Sequence, residues 1–349
     1  MKAFTDLRSR MNDEIKGPAV LKEALVLLPF LALTLTTGNT VWLKASLVAV
    51  AIMIADEHLD LTPIGVLLHG AAIICGIYLL FFTQVTPILF VLACMLLAAA
   101  VIRLAAEGSK LRAPGNWIFL PSIILAYELD AHDSPAVLFQ QAPKFLPYLL
   151  VAVVPVLLFS IWKWAKRGAP VATEGSRFLS RLTRTTDLGP KTPYGETMAA
   201  MVTGVAAAAL LVELFHMDHG QWVIWGVASV VTGTVDTARA KMRDRAIGVV
   251  VGVPAGIFLG RFVIPHSELA VILATLAIFM TLAAFRRYVV AYILRCTFVA
   301  LAIILANESA SVALERITHV LLGGLIGISC VLVCDFLVRK RKQPVERQG

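Results

Sequence analysis

The sequence predicts an all-α, polytopic transmembrane helical bundle with about twelve spans, arranged as two tandem six-helix repeats. Three observations carry this reading. Of the 349 residues, 58% are hydrophobic and 15% charged, with a mean hydropathy of +0.81; soluble domains are roughly 45–50% apolar and about 25% charged. Apolar stretches about as long as a bilayer is thick recur from Pro18 to Val338. Sliding the first half by 180 residues aligns Trp42 with Trp222, Asp56 with Asp236, Gly76 with Gly256, and Ile123-Ile124-Leu125-Ala126-x-Glu128 with Ile303-Ile304-Leu305-Ala306-x-Glu308. That set at one offset reads as a tandem duplication.

The elements follow in order. Residues 1–18 are polar and mixed in charge, with no small-residue cleavage site after the first apolar run, and read as a retained cytoplasmic segment. The first repeat (19–162) has expected spans at 19–37, 41–55, 64–82, 87–102, 114–128 and 136–162. A basic linker follows at 163–194, with Lys163, Lys166, Arg167, Arg177, Arg181, Arg184 and Lys191. In the second repeat (195–338) the spans fall at 195–215, 220–236, 246–264, 269–285, 288–306 and 312–338, before a basic tail at 339–349. Spans 41–55 and 114–128 look short for a bilayer, and Pro29, Pro121, Pro155 and Pro254 lie inside spans, as kinks or as breaks lining a path.

Orientation comes from the loops. Arg103, Lys110 and Arg112, then Arg239, Lys241, Arg243 and Arg245, then Arg286 and Arg287 fall on the side shared by linker and termini. The opposite loops carry no Lys or Arg, apart from Arg261 near one of them. The positive-inside rule makes both termini and the linker cytoplasmic, with parallel repeats.

The same residues exclude function classes. The net charge of +8 (31 Lys and Arg against 23 Asp and Glu) lies in short runs between spans rather than on one face, which argues against nucleic acid. No Gly-Lys dipeptide occurs, so there is no Walker cradle, and HExxH, GxSxG and CxxC are absent. Cys75, Cys94, Cys296, Cys330 and Cys334 lie in apolar stretches as small hydrophobes. Neither an enzyme nor a metal or other cofactor is expected, and transport is the default for such a chain.

His216-Met217-Asp218-His219-Gly220-Gln221-Trp222 opens a span that leads into a Thr/Gly segment, Arg residues on a loop and a Gly-rich span up to Gly256; Ala313 to Gly327 forms an Arg-then-Gly-rich closing helix. Over roughly 195–338 this resembles the membrane domain of the fusaric acid resistance and aromatic acid exporter family. The resemblance implies export of aromatic or other hydrophobic carboxylic acids across a bacterial inner membrane, together with a periplasmic adaptor of the membrane-fusion type. Long family members carry a cytoplasmic domain between the halves, which this short linker lacks. The first half is a diverged copy: Leu59, Leu61, Pro63 and Gly65 stand where the second has Arg239, Lys241, Arg243 and Arg245.

Candidate substrate-binding residues are Arg295, Tyr288, Tyr292, Arg239, Arg243 and Arg245. A carboxylate crossing a low-dielectric region needs a cation or dipole for compensation. Tyr288, Tyr292 and Arg295, at i, i+4 and i+7, share one helical stripe that can stack an aromatic ring and pair its carboxylate; the bland alternative is an Arg neutralised by a structural acid, with the tyrosines as anchors. Arg239, Arg243 and Arg245 could funnel anions, or simply set topology with an Asp236 to Arg239 helix-end pair. Proton-coupling candidates are Glu315, His319 and Asp236, against a local ion pair that holds Arg316. Lys44 is expected to snorkel. The leading function is a proton-driven secondary exporter of small organic anions; a passive anion channel or a non-transporting scaffold are the alternatives. The run Gly323-Gly324-x-x-Gly327 suggests a close-packing face for a homodimer in the lipid bilayer.

Overall fold

The computed structural model describes residues 14–129, 135–167, 179–185, 187–191 and 194–346. Residues 1–13 of the N-terminal segment, the loop at 130–134 and Arg177 of the linker lie outside the described residues. Among the described residues, six helices occupy the first half: α1 (Gly17–Thr37), α2 (Val41–Leu59), α3 (Pro63–Thr83), α4 (Pro87–Ala106), α5 (Arg112–Leu129) and α6 (Pro135–Arg167). After a single turn at Leu179–Leu182 come α7 (Gly195–Leu214), α8 (Gln221–Val230), α9 (Val235–Phe258), α10 (Glu268–Met280), α11 (Tyr288–Leu305) and α12 (Ala310–Glu346), with a π-helical turn at Leu259–Val263 extending α9. Pairing of extended backbone is limited, among the described residues, to isolated bridges.

Local chemistry sets the helix ends. Thr62 accepts a hydrogen bond from the Gly65 N–H at 3.1 Å while Pro63 starts α3, and Ser267 accepts from the Ala270 N–H at 3.1 Å at the start of α10. Gly38, at φ +66°, closes α1 by donating its N–H to the Thr34 carbonyl.

Among the described residues, eight helical segments are long and apolar enough to cross a membrane: α1, α3, α4, Ala142–Arg167 of α6, α7, Val235–Val263, α11 and Ala310–Lys340 of α12. Helices α8 and α10 are apolar but have only 10 and 13 residues. The chain is thus an all-helical, multi-pass membrane protein in its helix content.

Several expected boundaries move. The spans read as 41–55 and 114–128 become helices of 19 and 18 residues, because the polar residues at their ends stay helical. The span read as 220–236 stops at Val230; residues 231–234 leave the helix and Gly233 takes φ +120°. The stretch from Thr237 to Arg245, read as a loop, belongs to the first turns of α9, since Ala, Lys, Met and Arg are strong helix formers and Asp236 sits favourably at the helix start. Helix α6 runs on to Arg167, so Lys163, read as linker, is helical and buried. Helix α12 likewise continues through the start of the basic tail.

The described chain forms two compact units, one from residues up to Val50 with Arg243–Val320, the other from Ala51–Met242 with residues from Leu321 onward. In the first unit, Gly248, Gly252, Gly256 and Gly260 stand at every fourth position. A side chain at Gly252 would meet Cys296, at Gly256 Ala300, and at Gly260 Ile304, each within 2.8 Å. The backbone of α9 and its π turn therefore lies directly on α11, as small-residue faces allow in a membrane. Ala274 of α10 packs against Leu301 and Leu305 of α11. At one end the N-terminal segment pairs with the loop before α11: the Lys16 N–H donates to the Ala284 carbonyl, the Arg286 N–H donates to that of Glu14, and the Glu14 carboxylate pairs with Arg287.

The second unit has its own core, with Phe81, Phe90, Phe119, Ile224 and Val227 fully buried or nearly so. The face offered by Gly323, Gly324 and Gly327 is filled from within the chain. A methyl group at Gly226 of α8 would come within 3.0 Å of the Gly323 Cα, one at Gly324 would meet Met242, and one at Gly327 would meet Val227. That run is consequently not a free face for a second copy. The linker is strapped to the bundle: Leu61 bridges Thr183, the Thr62 N–H donates to the Leu182 carbonyl, and the Arg184 N–H donates to that of Asp60. Further on, the Ser109 and Lys110 N–H groups donate to Pro190 and Leu188, and Lys110 pairs with Asp187 at 2.7 Å.

Candidate functional site

The first unit gathers a group of cations and rings. Tyr288 and Tyr292, one turn apart on α11, stack with centroids 5.6 Å apart and an interplanar angle of 18°. The Arg245 guanidinium of α9 lies 4.7 Å from the Tyr292 ring centre and within hydrogen-bonding reach of the Tyr288 hydroxyl. Arg295 lies 5.8 Å from the same ring. Arg245 and Tyr292 are each 1% exposed. The Gly248 gap admits this arrangement, because a methyl group there would overlap Cδ1 of Tyr292.

Arg295 is anchored by its backbone surroundings. Its Nε donates to the Thr281 hydroxyl at 3.1 Å and an Nη donates to the Thr281 carbonyl at 2.9 Å, at the C-terminal end of α10. A guanidinium there satisfies a carbonyl that has no helical donor and meets the negative end of the helix dipole. Arg245 has less: its Nε–H and the Tyr292 hydroxyl are buried without a hydrogen-bond partner among the described residues. Within the described residues neither Arg245 nor Arg295 has a carboxylate at ion-pairing distance. Arg316 and His319, both buried on α12, and half-buried Glu315 belong to the same unit, and the Arg316 charge acts on Tyr292.

The second unit carries a half-open pocket of about 760 Å³. It is lined by the starts of α7 (Glu196, Thr197) and α9 (Asp236, Arg239), by Gly233 and Thr234 of the helix break, and by Cys334, Asp335 and Arg339 of α12. The break itself is organised. Thr234 accepts from the Thr237 N–H at 3.3 Å and so caps α9, while Arg112 donates to the Thr232 carbonyl at 2.8 Å and to the carbonyl of Val231. Arg339 pairs with Asp335 at 2.9 Å.

The expected stripe of Tyr288, Tyr292 and Arg295 therefore exists, and it acquires Arg245. The expected cluster from Asp236 to Arg245 does not stay together. Asp236 and Arg239 line the pocket of the second unit, Arg243 is exposed beside Asp244, and Arg245 is buried. The helical period separates them, since Arg245 points one way on α9 and Arg243 another. Lys44 is exposed. Sequence reading missed Gly248, Arg112 and the lining role of Glu196, Asp335 and Arg339; the signal for Gly248 was its four-residue spacing from Gly252 and Gly256.

Residues 206–330 match the family model described as fusaric acid resistance protein-like, which supports the resemblance read from the sequence. The matched stretch includes Arg245, Tyr288, Tyr292 and Arg295. No curated protein and no solved structure matches the chain.

Proposed function

We propose that the chain is a secondary exporter of organic acids, aromatic carboxylic acids in particular, in a bacterial inner membrane, driven by the proton gradient and working with a periplasmic adaptor. The observation that supports this reading most directly is the pair of buried donors, Arg245 Nε and Tyr292 Oη, left without acceptors among the described residues and lying beside a second guanidinium. Buried charge without a carboxylate is costly in a low-dielectric site, and an anion relieves it. A carboxylate supplies the acceptors, and a flat ring attached to it finds stacked tyrosines at hand. Glu315 and His319, on the α12 segment next to Arg316, are proposed proton carriers in this unit, and Asp236 and Arg239 form part of an anion-collecting pocket in the other.

The same proposal takes both termini and the linker as cytoplasmic and the bundle as two tandem repeats of six. The helix starts support the repeat: Gly17, Val41, Pro63, Pro87, Arg112 and Pro135 recur at similar spacing as Gly195, Gln221, Val235, Glu268, Tyr288 and Ala310.

The test is transport of fusaric acid, a pyridine carboxylic acid, into proteoliposomes, with protein-free vesicles as the passive background. Arg295→Lys keeps charge but loses the planar fork and is expected to weaken uptake; Arg245→Gln and Arg295→Gln are expected to abolish it at normal expression. Wild-type rates in all three variants overturn the anion site. Flux that follows only the substrate's own gradient overturns the proton-driven part in favour of a passive channel.

A further inference from the structure

Arg295 of the first unit reaches from α11 to the end of α10, and a short piece of chain outside both helices ties their connection. Glu14 to Lys16, just ahead of α1, run beside residues 284–287. Ile15 forms an antiparallel bridge with Phe285, the Lys16 N–H donates to the Ala284 carbonyl at 2.8 Å, and the Arg286 N–H donates to the Glu14 carbonyl at 2.9 Å. The Glu14 carboxylate pairs with Arg287, whose guanidinium, by its hydrogen bond first, holds that carboxyl below the usual glutamate range. The pair is therefore ionised at neutral pH.

Hydrogen bonds carry this hold toward both helices. Ala284 donates its own N–H to the Met280 carbonyl at 3.2 Å, one residue from Thr281. Thr281, 2% exposed, donates its hydroxyl to the Ile278 carbonyl at 2.6 Å while accepting from Arg295 Nε. In the other direction the Arg287 carbonyl accepts from the Ala291 N–H at 3.2 Å, and Arg287, Ala291 and Arg295 recur at every fourth position. The two helices are thus joined twice: at their connection by the Glu14 to Lys16 segment, and about two turns further along α11 by the Arg295 bonds to Thr281.

We propose that Glu14, Ile15 and Lys16 are positioning residues of the anion site: they clamp the α10–α11 connection and so hold Thr281, and Thr281 holds the Arg295 guanidinium. A long, flexible side chain presents its planar fork in one geometry only when a fixed acceptor keeps it there. Thr281 lies just past the last turn of α10, and helix ends fray unless something outside the helix ties them down. The clamp is built mainly of backbone bonds, so it depends on where the main chain runs more than on which side chains it carries.

This inference rests on the transport reading, and measurements on the full chain keep the two apart. Lys16→Pro removes one N–H of the clamp, and proline's fixed φ of about −65° lies near the −85° of Lys16. Lys16→Ala loses the same exposed side chain and keeps the N–H. In fusaric acid uptake by proteoliposomes, Lys16→Pro is expected to raise KM roughly fivefold or more with the maximal rate within about twofold, and Lys16→Ala to match wild type. In an Arg295→Lys background Lys16→Pro is expected to add nothing, because the group that the clamp positions is already gone. An unchanged KM in Lys16→Pro overturns the proposal, as does an equal rise in Lys16→Ala or an effect that multiplies in full with that of Arg295→Lys. Should Lys16→Pro fail to reach the membrane, Glu14→Arg, which sets like charges against Arg287, decides by the same criteria. If the wild type carries no fusaric acid, the transport reading has failed, and nuclear magnetic resonance of the arginine-labelled chain in detergent decides about the clamp. An Arg295 Nε–H signal, identified by its loss in Arg295→Lys, that exchanges with solvent roughly tenfold faster in Lys16→Pro or Glu14→Arg than in Lys16→Ala supports it, and equal exchange overturns it.

Discussion

Arg245 sits 4.7 Å from the centre of the Tyr292 ring, and Gly248, three residues along α9, leaves that ring room to lie there. A cation over a desolvated aromatic face gains about 2 kcal/mol, part of what keeps a guanidinium inside this bundle.

Gly248→Ala should therefore destabilise the first unit, since the added methyl group overlaps Tyr292 and overpacking costs about 1–3 kcal/mol. Thermal unfolding in detergent, followed by tryptophan fluorescence, reads the effect. Gly17→Ala is the control, because nothing lies within 4 Å of a side chain there. Equal melting temperatures for the two variants would show that the ring moves without cost.

Arg112→Met should loosen the break between α8 and α9. Two carbonyls, of Val231 and Thr232, lose their donor, and each buried group left unsatisfied costs about 1–3 kcal/mol. Hydrogen exchange of the Thr234 to Ala238 amides is expected to quicken. Unchanged exchange there means that water replaces the guanidinium fully.

The strap at Asp187 should be insensitive to pH across the neutral range. The Lys110 ammonium first, and then the Gly189 N–H, hold the Asp187 carboxyl below the usual aspartate range. A depressed carboxyl contributes its stability above the unfolded value, about 3.9, and loses it only as pH falls from there through the folded value. Proteolysis of the linker should thus stay slow from neutral pH down to about 4 and quicken below, while Asp187→Asn should raise the neutral rate and remove the acid step. An onset near pH 6 would point to a histidine instead.

Sidedness is open to direct labelling. In a chain without native cysteines, Lys191→Cys should resist a membrane-impermeant thiol reagent in intact cells and Ser311→Cys should react. Both positions are exposed, so access reports topology alone. The reverse pattern inverts the orientation.

Much of the helical plan was legible, because apolar runs and proline or threonine at helix starts act locally. Arg295 was legible too, as a lone cation in an apolar run. Arg245 was not: hydropathy sees Arg-Ala-Lys-Met-Arg-Asp-Arg as a loop, and only the helical period brings the last of these under a tyrosine more than forty residues away. Lys163 looked like the first residue of a linker for the same reason, and its partners Asp56 and Asp60 lie in another helix and the turn after it. The glycines at 323, 324 and 327 announced close packing correctly, but sequence does not say against what; the answer is α8, with Gly226 at Gly323 and Val227 at Gly327, together with Met242 of α9 at Gly324.

The hold of Arg295 on the Thr281 carbonyl, just past the end of α10, bears on how long any anion can stay. A guanidinium that already has a partner does not gain the full attraction of an ion pair; it trades one acceptor for another, and the net affinity is the difference. Modest affinity means fast release, and a carrier that must let its cargo go on every cycle is better served by such a swap than by a tight grip.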